Sequence, residues 1–318
     1  MWTICGHTLH PGEKKQAMLS LSGYEIPVNL ICGAQPGKTV LITAQIHSGE
    51  YPGTPAVIRV AKEIDPKRLC GNLLMLPCVN TSGFWARSDA KVPEDGFNLN
   101  GDYPGKAGGT PGERIADYFV TEIFPHVDFI LDLHSGGQQE PLVSCLFFVG
   151  NEAVREESLE AARALDIPYL IQSYAAKGEY SYAATQHNIP GLLLERGSCG
   201  YCRPEWVRDY VRDVHLFLQH RGMYQFGEPT MVCPKTIYPK TVYLKAKERG
   251  LWYPLVAEGG NVKKGQLLGH TEDLWGNLLR EYYAEGDGTV FYYTCGLSAV
   301  EDVPLVAYGL SEFAQESY

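Results

Sequence analysis

At 318 residues the chain has room for roughly two domains of about 150 residues each, and with 45% hydrophobic and 20% charged residues it is too apolar to be a disordered polymer. Lys and Arg total 27 against 37 Asp and Glu, a net charge of −10, which argues against a nucleic-acid backbone or an anionic membrane surface as the main partner. No run of 18 apolar residues occurs, so no transmembrane helix is predicted.

The chain opens with Met1 to Gln16, which lacks the basic start, apolar stretch and small-residue cleavage site of a signal peptide. Nine scattered cysteines, an odd number, suit reduced thiols better than a disulfide framework, and the two observations together predict a cytoplasmic protein. The run from Val40 to Ile46 reads as a buried strand, and Ala56, Val57, Val60, Ala61 and Ile64 follow at helical spacing. Leu73 to Val79, Phe129 to Leu133 and Leu192 to Leu194 are further short apolar runs; Glu152 to Leu165 and Pro204 to His220 read as helices, the latter opened by Pro and Glu and closed by Gly222. Strands alternating with helices predict an α/β fold around a largely parallel sheet. Residues 221–240 are rich in Gly, Pro and turn residues. Beyond them come only short β-like runs, so the division is residues 1–230 as one domain and 231–318 as a small all-β domain.

Four polar residues share one place in this pattern: His47, Asn80, His134 and Glu195 each follow an apolar run directly. In open α/β sheets ligands bind beyond the carboxyl ends of the strands, so parallel neighbours would bring all four to one crevice. His47-Ser48-Gly49-Glu50 sets an imidazole and a carboxylate three residues apart at a strand-to-helix turn, with His134 as a distant third ligand. Two His and one Glu with an open fourth position is a catalytic zinc arrangement. Glu195 would then act as general base toward water. Asp132, two residues before His134 on the same strand face, is placed to orient that imidazole. A lone His-x-x-Glu arises often by chance, and a His after a strand commonly only caps it, so the ordered combination carries the reading.

That combination resembles the zinc carboxypeptidase superfamily, in its succinylglutamate desuccinylase/aspartoacylase branch. The matching segments are His47-Ser48-Gly49-Glu50, Asn80-Thr81-Ser82-Gly83 followed by Arg87, Asn98 to Gly105, Asp132-Leu133-His134-Ser135-Gly136, and Leu194-Glu195-Arg196-Gly197. The resemblance implies a three-layer α/β/α sandwich with a mostly parallel mixed sheet and an appended barrel-sandwich-like β domain. It implies one Zn2+ per chain on His47, Glu50 and His134, with Glu195 moving the proton to the leaving amine and Arg87 polarising the scissile carbonyl. It also sets Asn100 against the substrate. Two departures bear on substrate: Gly101 stands where the branch has a carboxylate-gripping arginine, and Asn98 stands where an Asp commonly supports a zinc-binding His. Arg196, beside the base, is a candidate for the missing carboxylate anchor. Tyr180 and Tyr182, on what reads as a Gly-containing loop, offer phenols to the substrate or oxyanion.

The expected activity is zinc-dependent removal of an acyl group from an N-acyl amino acid or similar small metabolite. Two alternatives stay open: a carboxypeptidase-like enzyme acting on a short or modified peptide, and a non-catalytic metal- or ligand-binding protein on the same fold. The β domain would cap the site or mediate homo-oligomerisation. Cys199-Gly200-Tyr201-Cys202 has redox-pair spacing without a second pair or a thioredoxin-like context, so neither a disulfide nor a second metal is expected there.

Overall fold

The computed structural model describes residues 1–21, 23–227 and 232–317, and the expected domain boundary between 230 and 231 lies outside the described residues. Strands β1 (Trp2–Ile4) and β2 (His7–Leu9) make a small hairpin, and β3 (Glu13–Leu21) and β4 (Tyr24–Cys32) a long one. There follow β5 (Gln35–Ala44), α1 (Gly53–Glu63), β6 (Cys70–Leu76), α2 (Thr81–Ala86), α3 (Pro111–Tyr118), β7 (Phe129–His134) and β8 (Cys145–Val149). Next are α4 (Arg155–Arg163), β9 (Tyr169–Ser173), α5 (Glu179–His187), β10 (Gly191–Glu195), α6 (Pro204–His220) and β11 (Lys235–Tyr238). The C-terminal part contributes β12 (Thr241–Lys245), β13 (Gly250–Pro254), β14 (Asn261–Val262), β15 (Leu267–Glu272), β16 (Leu278–Tyr283), β17 (Gly288–Tyr293), β18 (Ser298–Ala299), β19 (Pro304–Leu310) and β20 (Gln315–Ser317).

One ten-stranded mixed sheet, ordered β20-β11-β9-β8-β10-β7-β5-β6-β4-β3, organises the first part. Its centre is parallel: β5 pairs in parallel with β6 and β7, and β7 with β10. These strands are covered on both faces, which is why they read as continuous apolar runs. Val40, Ile42 and Ala44 face a core shared with α1, α4 and α6, through residues such as Val57, Leu159 and Phe217. Leu41, Leu74 and Ile130 face a second core with Ile115 of α3 and Ala183 and Ala184 of α5.

The C-terminal part folds into two four-stranded sheets, β12-β19-β17-β14 and β16-β15-β13-β18, with every pairing antiparallel. Trp252, Leu268, Val290, Val306 and Tyr308 fill their shared core. This module is tied back to the large sheet, because β11 pairs with β9 and β20 pairs with β11. Among the described residues no helix is long and apolar enough to cross a membrane.

Candidate metal centre and active site

Because β6, β5, β7 and β10 run parallel side by side, their carboxyl ends open on one edge of the sheet. The register sets Glu195 directly beside His134 on adjacent strands. β5 ends at Ala44, two residues earlier than the apolar run suggests, because Gln45 turns into the left-handed region (φ 57°) and takes the chain out of the sheet. The buried Gln45 Nε2 donates to Ser48 O at 2.7 Å and fixes the turn that carries His47 and Glu50. Gly49 is needed there: a Cβ would lie 2.8 Å from Asp89 O, which its own N–H meets at 2.6 Å. Ser48 Oγ binds Ser88 Oγ at 2.8 Å, so residues 48–49 and 88–89 are laced together.

The Glu50 carboxylate lies between two imidazoles. His47 Nδ1 is 2.8 Å from Oε1, and His134 Nδ1 is 2.9 Å from Oε2, which also accepts from Ser135 N at 3.0 Å. The two rings cross almost at right angles, centroids 4.9 Å apart. Each far nitrogen meets an acceptor: His47 Nε2 lies 3.1 Å from Asn98 Oδ1, and His134 Nε2 2.9 Å from Asp132 Oδ2. These acceptors hold Nε2 as the donor, so that each Nδ1, here in contact with Glu50, is the atom that can give a lone pair to an ion at the centre. One donor atom from each of His47, Glu50 and His134 falls within 4.8 Å of the others, so the set fits a single borderline-soft divalent ion. Burial would raise the Glu50 carboxyl, but His134 and His47 outweigh it and hold it at about 2. Burial would lower His134, yet Asp132 and Glu50 push it well above the usual histidine range.

Glu195 ends β10 with Oε2 buried and without a hydrogen-bond partner. Burial, then the charge of Glu50, raises its carboxyl well above the ordinary range. Tyr210 of α6 fixes the neighbouring backbone: its hydroxyl accepts from Arg196 N at 2.8 Å and reaches the carbonyls of His134 and Leu194, tying the ends of β7 and β10 together.

Other residues singled out from the sequence fall in different places. Arg87 is exposed at the C-cap of α2 with φ 55°, next to the laced Ser88 and Asp89, and among the described residues its guanidinium has no hydrogen-bond or ion-pair partner. Asn80 caps α2, its Oδ1 accepting from Gly83 N at 3.1 Å. Asn100 packs against Gly178 at the start of α5, where a Cβ would lie 2.2 Å from its Oδ1.

Arg196, expected at the substrate, is instead 6% exposed and bound to Asp213 of α6, with Nε at 2.5 Å and Nη2 at 3.0 Å from the two carboxylate oxygens. It points into the core because the next acid it can reach, Asp213, is fully buried there. Tyr180 and Tyr182 lie on helix α5 and not on a loop, since Ser181 Oγ accepts from Gly178 N at 3.0 Å and starts a turn that buries Tyr180, Ala183 and Ala184. Tyr180 is 3% exposed, and the Tyr182 ring packs 5.9 Å from both Tyr103 and His187. Cys199 and Cys202 are both free thiols, and the thiol that Cys199 meets is Cys295.

Several nearby residues carry no sequence signal. Glu179 is fully buried, its Oε1 3.5 Å from Thr43 Oγ1, which donates to Asp132 Oδ1 at 3.0 Å; burial and Asp132 raise its carboxyl. Glu140 lies on the loop after His134; burial, then Glu50, raises its carboxyl to about 7. The β module reaches the same place. Tyr292 of β17 bridges to Leu142, Phe291 O accepts from Val143 N at 2.9 Å, and Gln139 O accepts from Cys295 N at 2.9 Å. The Tyr292 phenol is pushed up by burial and then by Glu140, with Tyr243 and Glu195 also acting on it.

Comparison with known proteins agrees with this architecture. Residues 36–221 match the succinylglutamate desuccinylase/aspartoacylase catalytic domain family. The chain is 30% identical over 275 residues to the N-alpha-acetyl-L-2,4-diaminobutyric acid deacetylase of Halomonas elongata, covering 83% of this chain and 80% of the relative. Among solved structures, the product-bound ectoine utilization protein EutE (DoeB) from Ruegeria pomeroyi superposes with a TM-score of 0.83 at 23% identity, over 96% of this chain and 98% of the other. The succinylglutamate desuccinylase/aspartoacylase from Rhodobacter sphaeroides superposes with a TM-score of 0.80 at 24% identity, over 94% and 96%.

Proposed function

This chain belongs to the succinylglutamate desuccinylase/aspartoacylase family, and on that premise we propose that it is a zinc-dependent deacylase of an N-acylated amino acid. The observation that carries the reading is the pairing of the His47–Glu50–His134 donor set with the unpartnered Oε2 of Glu195 on the adjacent parallel strand. The relative's name supports an acetyl group on an amino acid. The separate cores on the two sheet faces support a three-layer sandwich. Nine free thiols suit a cytoplasmic setting.

His47 Nδ1, the Glu50 carboxylate and His134 Nδ1 would hold the ion. When bound, zinc supplies Lewis acidity that makes a water nucleophilic near neutral pH and polarises an acyl carbonyl. Asn98 and Asp132 keep the two imidazoles aimed by binding their far nitrogens. Glu195 accepts the proton from the attacking water at Oε2. The water oxygen bonds to the acyl carbon, the C–N bond breaks, and the same carboxyl returns the proton to the leaving nitrogen, giving a carboxylate and a free amine. Arg87, without another partner among the described residues, turns its guanidinium to the oxyanion that develops on the acyl oxygen. A raised Glu195 carboxyl suits this double duty, because its proton is held firmly enough to be taken from water and loosely enough to be delivered.

The test is a panel of N-acetyl amino acids, N-succinylglutamate and short peptides on the zinc-loaded protein, read as release of the acid and the amine. Turnover confined to N-acyl amino acids is the expected result. Release of a C-terminal residue from peptides would replace this reading with a carboxypeptidase.

A further inference from the structure

Behind the donor set lies a buried carboxyl that the reaction does not use. Glu179, in the first turn of α5, is fully buried, and among the described residues no cation pairs with it. Its Oε2 has no hydrogen-bond partner, and its Oε1 meets the Thr43 hydroxyl of β5 at 3.5 Å. The same hydroxyl lies 3.0 Å from Asp132 Oδ1, and Asp132 Oδ2 lies 2.9 Å from His134 Nε2. Glu179, Thr43, Asp132 and His134 therefore form one line that ends at the donor set.

The protons along this line can be assigned. A threonine hydroxyl has one proton to donate and lone pairs with which to accept. Asp132 takes the His134 Nε2 proton on one oxygen, and the shorter contact, 3.0 Å against 3.5 Å, gives the Thr43 proton to its other oxygen. Thr43 then has nothing left to give Glu179 and can only accept from it. A carboxylate in that place would be a buried charge with no donor on either oxygen, set beside Asp132. A carboxylic acid supplies the missing proton and leaves Oε2 as a carbonyl oxygen, the less costly atom to leave unpaired. Burial and the charge of Asp132 act in the same direction, raising the Glu179 carboxyl well above its usual range.

We infer that Glu179 is a neutral carboxylic acid and a positioning residue for His134: its Oε1–H donates to Thr43 Oγ1, which turns the Thr43 hydroxyl onto Asp132 Oδ1, and the doubly held Asp132 keeps the imidazole aimed at the centre. This rests on the reading of His134 as a metal ligand. Glu179 itself touches neither ion nor substrate. With a carboxylate there, the Thr43 proton would be divided between two acceptors and Asp132 would be held less firmly.

The test uses Glu179→Gln, whose amide N–H2 can replace the acid O–H as donor to Thr43, and Glu179→Leu, which removes the donor at similar volume. Infrared spectra of the zinc-free protein at neutral pH should show a carboxylic-acid C=O band in the parent that Glu179→Gln lacks; a difference spectrum holding only carboxylate bands overturns the inference. In a chelator competition, zinc affinity should stay within about twofold of the parent in Glu179→Gln and weaken by about threefold or more in Glu179→Leu. Parent-like affinity in Glu179→Leu, or an equal loss in both variants, overturns the positioning role. If Glu179→Leu does not fold, Thr43→Val, which removes the relaying hydroxyl, takes its place with the same expectation. If the parent takes up no zinc, the metal reading fails, while the infrared band still decides the state of Glu179. Solvent exchange of the His134 Nε2–H, followed by NMR, then reads positioning: faster exchange in Glu179→Leu but not in Glu179→Gln supports it, and equal rates in all three proteins refute it.

Discussion

Replacing Asp213 by Ala tests whether Arg196 is structural or a substrate anchor. Asp213 is fully buried on α6, and both its oxygens bind the Arg196 guanidinium, at 2.5 and 3.0 Å. Arg196 Nη2 also donates to Asp166 O at 2.8 Å. Burial pushes the Asp213 carboxyl up and the guanidinium opposes it, so each charge depends on the other. Removing the acid leaves an arginine that is 6% exposed with only the half-exposed Asp209, 3.9 Å from Nη1, as counter-charge, a loss of about 3–5 kcal/mol. At about 2–4 °C per kcal/mol for a chain of this size, Tm should fall by roughly 6–20 °C. Urea melts should show a lower midpoint at unchanged slope. Replacing both partners by apolar residues, Arg196→Met with Asp213→Leu, should recover much of that loss, because no charge is then stranded. Since Arg196 directly follows Glu195, kcat should fall with Asp213→Ala while KM moves little. Stability within about 1 kcal/mol of the parent, coupled to a large rise in KM, would refute the clamp and return Arg196 to the substrate.

Four further outcomes follow from the same geometry. Glu195→Gln should lower kcat by about 10²–10⁴-fold while zinc content by mass spectrometry stays at the parent level, because the amide cannot take a proton but does not touch the donor set. Asp132→Asn should weaken zinc affinity by about 10–100-fold in a chelator competition, as His134 Nε2 loses its charged acceptor. The pH–rate profile should have an acid limb above the ordinary carboxylate range, since burial and Glu50 raise Glu195 and the base works only when ionised, so activity is lost as pH falls through its pKa. Glu140 is one of the like charges raising Glu195, so Glu140→Gln should move that limb to lower pH; a shift to higher pH would contradict the charge placement.

What could be read from the sequence was what depends on local pattern. Strands buried on both faces are bound to appear as apolar runs, and a polar residue directly after such a run must stand at the sheet's edge. His47, His134 and Glu195 were legible for that reason, and parallel pairing of β5, β7 and β10 turns three separate signals into one place. The hairpin of β3 and β4 carried an alternation, with Tyr24, Ile26, Val28 and Leu30 buried, but its exposed, lysine-bearing partner strand hid it. Helix α5 was illegible because its sequence, Glu-Tyr-Ser-Tyr-Ala-Ala-Thr-Gln-His, has little helical periodicity and is held by packing against the second core.

The residues that escaped are those whose meaning is set by a distant element. A cation next to the base reads as a substrate anchor until α6 brings Asp213 against it. Glu140 reads as an ordinary loop acid until two things happen: the turn at Gly137 folds it back, and β17, far along the chain, pairs with the segment that carries it. The same pairing packs the β module against the loop that follows His134, near enough for the charges of Glu140 and Glu195 to push up the Tyr292 phenol. The division of labour has a physical basis. Side chains that must meet at one point need the fixed spacing that adjacent parallel strands provide, whereas loops and an appended module can vary without disturbing that spacing. The places of His47, His134 and Glu195 were therefore visible in short motifs, and their long-range partners were not.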